Sequence, residues 1–221
     1  MTFRPADLIP VREAFDDSRF VYELKHDGFR ALAYIRSGHC QLVSRRGNVY
    51  KSFGSLSAAL GKLDHEAVLD GEIVVLDSAG RSMFYELLRR RGEPVFYAFD
   101  CLSLEGRDLR PLPLIHRKKK LERLVNGHAR ILYARHVESD GAAFFRLVCE
   151  QDLEGIVAKL KHGTYGEGWF KIRNPGYFAV RRATRVVREA CRSWPGMNAY
   201  DFGDDWQHGV VLEKIIRWPI S

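Results

Sequence analysis

Lys25 is the residue of this chain best placed to act as a nucleophile. It stands in Tyr22-Glu23-Leu24-Lys25-His26-Asp27-Gly28-Phe29-Arg30, where an apolar strand beginning at Phe20 runs into an Asp-Gly turn. A second apolar run, Phe29 to Ile35, follows at once. A lysine at a strand end is held on a rigid element and aimed beyond it. Burial or neighbouring cations lower a lysine's pKa from about 10.4 and make its amine a nucleophile. The plainer reading of the same residues is a surface lysine before a hairpin turn.

Five further segments carry charge at marked places. Ser44-Arg45-Arg46-Gly47-Asn48 puts two arginines at a strand-end turn, where solvated side chains are ordinary. Leu69-Asp70-Gly71-Glu72-Ile73-Val74 sets acids inside an apolar strand, which is costly unless they are bonded or functional. Phe96-Tyr97-Ala98-Phe99-Asp100 ends an aromatic run with an acid, and Phe99 could be core or a platform for a base. Glu154-Gly155-Ile156-Val157-Ala158-Lys159 opens on an acid and closes on a lysine. Trp169-Phe170-Lys171-Ile172-Arg173 alternates, so Lys171 and Arg173 share a face. Each segment alone could be structural. Together they supply a nucleophilic lysine, cations for a polyphosphate, carboxylates for a divalent metal and aromatics for a base. That inventory suits nucleotidyl transfer.

The elements that must position these groups are strands with helices between them. The pattern predicts strands over Phe20–Lys25, Arg30–Arg36, Cys40–Ser44, Ala67–Asp77, Val95–Cys101, Gly155–Leu160 and Gly168–Arg173. It predicts helices over Phe53–Leu63, Met83–Arg90, Pro113–Val125 and Gly141–Glu150, the third of them basic through His116-Arg117-Lys118-Lys119-Lys120. Hairpin strands with intervening helices give an α+β fold built on antiparallel sheets flanked by helices. After Asn174 the character changes. Arg181, Arg185, Arg188 and Arg192 fall at helical spacing opposite Val180, Ala183, Val187 and Ala190. Residues 175–221 are therefore expected to form a basic helical tail, its arginine stripe either a solvated face or a contact for a phosphate backbone.

Bulk composition agrees. With 221 residues, 46% of them hydrophobic, the chain suits one globular domain with a small appendage. The formal net charge of +7 favours a polyanionic partner. No apolar run approaches a membrane span, no secretory leader is evident, and the four cysteines form no C-x-x-C pair. A cytoplasmic protein without disulfides or a zinc site is expected.

Taken in order, K-x-D-G-x-R, S-R-x-G, D-G-E, F-D, E-G-x-V-x-K and W-x-K-x-[KR] resemble the covalent nucleotidyltransferases: ATP-dependent DNA ligases, RNA ligases and mRNA capping enzymes. The six segments span roughly residues 20 to 174, and their wording is most similar to the adenylation domain of bacterial ATP-dependent DNA ligases. The resemblance implies a domain over residues 1–174 that uses ATP and Mg²⁺, with Mn²⁺ as a substitute. Lys25 would form lysyl-AMP, AMP would pass to the 5′-phosphate of a nick, and the 3′-hydroxyl would displace it. It implies Glu23 near the adenine, Phe99 stacked on it, Arg30 on the nucleotide and Glu72 on the ribose or the metal. It further implies Glu154 as a metal ligand, Lys159 and Lys171 on the α-phosphate, and Arg45, with Arg46 beside it, on the nick. The implied partner is nicked double-stranded DNA, bound by a nucleoid-associated monomer; an RNA ligase, an RNA-capping guanylyltransferase or a non-catalytic nick-binding module are the alternatives.

Three departures accompany the match. Full ligases of this family carry an OB-fold domain with a basic motif. About 47 residues follow Asn174 (221 minus 174), fewer than such a barrel needs. A partner protein could supply that domain, or the stripe of Arg181, Arg185, Arg188 and Arg192 could replace part of it. The stretch between Lys159 and Trp169 is short, and Arg173 stands where many members have lysine, a change that keeps charge but alters its geometry.

Overall fold

In the computed structural model, which describes residues 2–177, two sheets face each other across a cleft. The first has the order β1–β11–β10–β2–β9, from β1 (Ile9–Val11), β2 (Phe20–Leu24), β9 (His136–Glu138), β10 (Gly155–Leu160) and β11 (Trp169–Arg173). The second has the order β4–β3–β5–β6–β7, from β3 (Phe29–Arg36), β4 (His39–Ser44), β5 (Ala67–Val74), β6 (Val95–Leu104) and β7 (Arg107–Asp108). A short strand β8 (Ile131–Tyr133) pairs with the start of β6. The helices are α1 (Gly54–Leu60), α2 (Phe84–Leu88), α3 (Leu114–Val125) and α4 (Gly141–Glu150), with a 3₁₀ turn over Lys51–Phe53. The proposed stripe of Arg181, Arg185, Arg188 and Arg192, with the helix that carries it, lies outside the described residues.

Seven strands and four helices stand near where the pattern predicts them, with shifted ends. The helix expected over Phe53–Leu63 splits into the 3₁₀ turn and a shorter α1. The strand expected to reach Asp77 stops at Val74, and β6 runs three residues past Cys101. The sheets are also not purely antiparallel, since β1–β11 and β6–β8 pair in parallel. The strands β1, β7, β8 and β9 are two or three residues long. Segments that short carry no period to read.

Alternation divides each sheet into two faces. In the first sheet Phe20, Tyr22, Ile156, Ala158 and Ile172 point outward into a core closed by Val148 of α4. The opposite face carries Glu23, Val157 and Lys171 in one cross-strand row and Val21, Lys159 and Trp169 in the next. In the second sheet Ala31, Ala33, Leu69, Ile73, Phe96 and Ala98 pack under Leu56, Leu60, Leu121 and Val125 of α1 and α3. Each sheet thus buries an apolar layer behind it and turns its charged row toward the other.

Two glycines fix how the cleft is cut. A Cβ on Gly28 would lie 2.3 Å from the Ile73 carbonyl oxygen, so only glycine lets the turn after Lys25 cross β5. Gly155 has φ +148, and a Cβ there would lie 2.2 Å from the carbonyl oxygen of Ile172. Both glycines follow an acid at the mouth of a functional strand, and both exist for close backbone approach.

Candidate active site

The strand β2 continues past Leu24 through one more backbone bond, from the Lys25 N–H to the carbonyl of Gly155 at 2.9 Å. This draws the end of β2 onto the start of β10 and brings Lys25 to Glu154, with Nζ 2.5 Å from Oε1. Both side chains are largely buried, at 19% and 10% exposure. The other carboxylate oxygen of Glu154, Oε2, is buried and has no hydrogen-bond partner.

Behind them lies a small pocket that opens to solvent. Its walls come from both sheets: Glu23, Val157, Lys159 and Trp169 from one, Arg30, Glu72, Tyr97 and Phe99 from the other. Lys25, His26, Leu8 and Ala134 complete them. Of the residues expected at a nucleotide, Glu23, Lys25, Arg30, Glu72, Phe99 and Lys159 line this single cavity. Lys171 shares the face of the first sheet, in register with Val157, and is 7% exposed. Arg45 and Arg46 lie elsewhere, at the turn after β4. There Arg45 pairs with Asp7 at 2.5 Å and Arg46 is exposed.

Glu23 is 3% exposed and lies between two lysines, Lys118 at 2.5 Å from Oε1 and Lys159 at 2.6 Å from Oε2. Burial alone would push its carboxyl up, but the two ammonium groups outweigh that and hold it below the usual carboxylate range. The Nζ of Lys159 lies 4.2 Å from the ring centres of both Phe99 and Trp169, a cation held over aromatic faces. Burial, and then the charge of Lys118, pull the Lys159 amine downward, against the attraction of Glu23.

On the opposite wall Arg30 is clamped. Its Nε and Nη2 donate to the two oxygens of Asp70 at 3.1 and 2.8 Å, and Nη1 donates to the Ala6 carbonyl at 2.7 Å. Tyr165 donates to the same carboxylate at 2.5 Å and accepts from the Ala6 N–H at 2.9 Å. A buried acid with a bidentate arginine is a satisfied pair, so Asp70 fixes the guanidinium rather than serving a ligand. Opposite Arg30 in the sheet sits Glu72. Burial pushes its carboxyl up to about 8, which Lys25 and Arg30 only partly counter and which the negative charge of Glu154 assists. His26 donates or accepts at Nδ1 with Ser82 Oγ at 3.0 Å, and burial followed by the Lys25 charge lowers it to about 4, so it is neutral near pH 7.

The chain's own residues fit a divalent cation in one place. Among the described residues no three His, Cys, Asp or Glu side chains converge as a cage. Glu154 pairs with Lys25, Glu72 feels the charges of both, and one Glu154 oxygen is unsatisfied. Mg²⁺ keeps several waters and is bound by one or two carboxylates plus substrate phosphates, and this donor set is of that kind.

Several site residues were not singled out from sequence. Arg117 and Lys118 belong to a run of five basic or polar residues in α3, yet both are fully buried. Arg117 spans Asp100 at 2.8 and 2.9 Å. The signal was present: Leu114, Arg117, Lys118, Leu121 and Val125 fall at the 3–4 spacing of a core-facing stripe, so two charges occupy core positions. Asp70 stands out in the sequence as an acid inside an apolar strand, but its partners Tyr165 and the segment around Ala6 are joined to it only by tertiary contacts, and nothing local announces them.

Comparison with known proteins gives one consistent result. Residues 6–174 match the family described as ATP dependent DNA ligase domain. The chain is 29% identical over 192 residues to the SPbeta prophage-derived DNA ligase-like protein LigB of Bacillus subtilis, covering 81% of this chain and 70% of that one. It is 36% identical over 156 residues to the multifunctional non-homologous end joining DNA repair protein LigD of Mycobacterium tuberculosis, covering 68% of this chain and 20% of that one. It therefore spans about a fifth of that relative's length. The crystal structure of the ligase domain from M. tuberculosis LigD superposes with a TM-score of 0.66 at 31% identity, over 76% of this chain and 59% of that one. A mycobacterial DNA ligase D complexed with ATP and MES gives 0.66 at 32%, over 77% and 60%. The chain belongs to the family of ATP-dependent DNA ligase domains.

Proposed function

We propose that residues 1–174 form an adenylation domain that charges itself with AMP from ATP and seals nicks in double-stranded DNA. The observation that carries this reading is the pocket that gathers Lys25, Glu23, Arg30, Glu72, Phe99 and Lys159 from two sheets, with Glu154 at its edge. The adenine lies against Phe99 and Val157, near Glu23. Arg30, immobilised by Asp70, presents a fixed cation to the nucleotide. Lys159, joined by Lys171 from the same face, meets the α-phosphate and stabilises the charge that develops there.

The Nζ of Lys25 forms a bond to the α-phosphorus, the bond to pyrophosphate breaks, and the amine's proton leaves. Glu154 is the nearest carboxylate to accept it. An ammonium paired with Glu154 is no nucleophile, so that ion pair has to open before attack. The phosphoramidate then passes AMP to the 5′-phosphate of the nick, and the 3′-hydroxyl displaces AMP as the strand closes. Glu154 and Glu72 would hold Mg²⁺, or Mn²⁺, which when bound supplies positive charge opposite the phosphates. Arg45 and Arg46 contact the DNA backbone near the nick, and a further domain or the stripe from Arg181 to Arg192 completes the grip. The chain works as a monomer among nucleoid DNA in the cytoplasm; among the described residues no helix is long and apolar enough to cross a membrane.

The test is sealing of a nicked duplex with a 5′-phosphate in ATP and Mg²⁺, beside the same duplex already carrying 5′-AMP in Mg²⁺ without ATP. Sealing of both by the wild type, and of only the adenylated nick by Lys25→Ala, is expected. Sealing of neither by folded wild type would remove the ligase reading.

A further inference from the structure

The lysine of α3 that reaches Glu23 is outside the motifs that mark the site, and it has no exposed surface of its own. Lys118 Nζ donates to Glu23 Oε1 at 2.5 Å and to the Ala134 carbonyl at 2.8 Å, and rests 4.8 Å from the Tyr133 ring centre. Glu23 is answered on its other oxygen by Lys159, which does line the pocket. The charge count of the three groups is +1 −1 +1, a net of +1. The next acid that acts on Lys159 is Asp100, and Arg117 already spans it.

We propose that Lys118 is a positioning residue for the nucleotide: it neutralises Glu23 from behind, so that Lys159 carries a net positive charge into the pocket for a phosphate. Without Lys118 the pair Glu23–Lys159 is neutral as a unit. The carboxylate then claims the ammonium that the phosphate needs. The cost appears in phosphate affinity, because Lys118 reaches no ligand itself and acts through Glu23 alone. Removal of one unit charge a few ångströms behind a partly buried anion site weakens binding on the order of tenfold or more.

The inference rests on the nucleotide reading above, and two probes separate the two. The first is α,β-methylene-ATP, which cannot be cleaved at the α-phosphate. The second is inorganic tripolyphosphate, which lacks the base and reports charge alone. Affinities of both are measured by calorimetry for wild type, Lys118→Met, Lys118→Arg, Glu23→Gln and the double variant Glu23→Gln/Lys118→Met. Lys118→Met is expected to lose tenfold or more for both probes. Lys118→Arg, which keeps the charge, is expected to stay within about threefold. The double variant, with Lys159 again uncompensated, is expected to recover tripolyphosphate binding to near the wild-type level.

A merely structural lysine predicts something else, namely variants with altered melting temperatures and unchanged tripolyphosphate affinity in the folded fraction. That result, or a double variant no better than Lys118→Met, overturns the inference. If Lys118→Met does not fold, Glu23→Gln decides: it leaves Lys159 uncompensated in the pocket, with Lys118 still buried behind it, and must bind tripolyphosphate at least as tightly as wild type, and weaker binding overturns the inference. Wild type that binds neither probe would sink the nucleotide reading itself, whereas wild-type binding with Lys118→Met unchanged sinks only this proposal.

Discussion

Replacing Glu72 by Gln should remove a pH dependence of stability that the wild type carries. Glu72 sits across from Arg30 with its carboxyl pushed from 4.5 to about 8, chiefly by burial. The folded state therefore holds a proton that the unfolded chain has lost between those two values. Bound protons are more numerous in the folded state, so stability falls as pH rises through that window and levels off above about 8. At ~1.4 kcal/mol per pH unit, the full span gives an upper bound near ~5 kcal/mol. Glu72 borders an open pocket, however, and water there screens it, so ~2 kcal/mol is the working figure. His26 runs the other way: it is lowered from 6.5 to about 4, so its contribution rises with pH below 6.5. The difference between wild type and Glu72→Gln cancels it. Urea unfolding of both proteins at several pH values from 5 to 9, without divalent metal, measures that difference. With m near ~2 kcal/mol/M, the wild-type midpoint should drop by about 1 M relative to the variant between pH 5 and 8.5. Parallel curves, or a wild type that gains on the variant as pH rises, would show that the Glu72 carboxyl is not held neutral by its surroundings.

Other perturbations follow from the same contacts. Arg117→Leu leaves Asp100 fully buried with one remaining bond, from the Cys101 N–H at 2.8 Å. It should cost about 3–5 kcal/mol by denaturant unfolding, and Asp100→Leu in addition should return much of that. Gly155→Ala drives a Cβ to 2.2 Å from the Ile172 carbonyl and should cost about 3 kcal/mol or prevent folding, with a thermal melt as the readout. Phe99→Ala removes a pocket wall and a face that Lys159 rests on, and should raise the KM for ATP about tenfold while the folded fraction is unchanged.

The long elements were legible because their periods are long enough to read. Strands such as Phe29–Arg36 and helices such as Leu114–Val125 repeat over two or more cycles. Ile9–Val11 and His136–Glu138 do not, and their pairing depends on partners more than a hundred residues away. The site divides in the same way. Lys25, Glu72, Phe99 and Lys159, which line the pocket, are locally conspicuous in the sequence as charges at the ends of or within apolar strands and as part of an aromatic run. Lys118 is not, since five adjacent polar residues in α3 read as one charged surface, although the helical spacing places two of them on the buried stripe. The clamp of Asp70, Tyr165 and Ala6 on Arg30 joins residues up to 159 apart in sequence, and only the folded chain brings them together.

The central claim is that Lys25 becomes covalently charged with AMP. The direct measurement is incubation with α-labelled ATP and Mg²⁺ followed by denaturing electrophoresis, wild type beside Lys25→Ala. Label that stays on the wild-type chain, is released by pyrophosphate and is absent from the variant is the predicted result. A folded wild type that takes no label, or a Lys25→Ala variant that is labelled as strongly, would contradict the account.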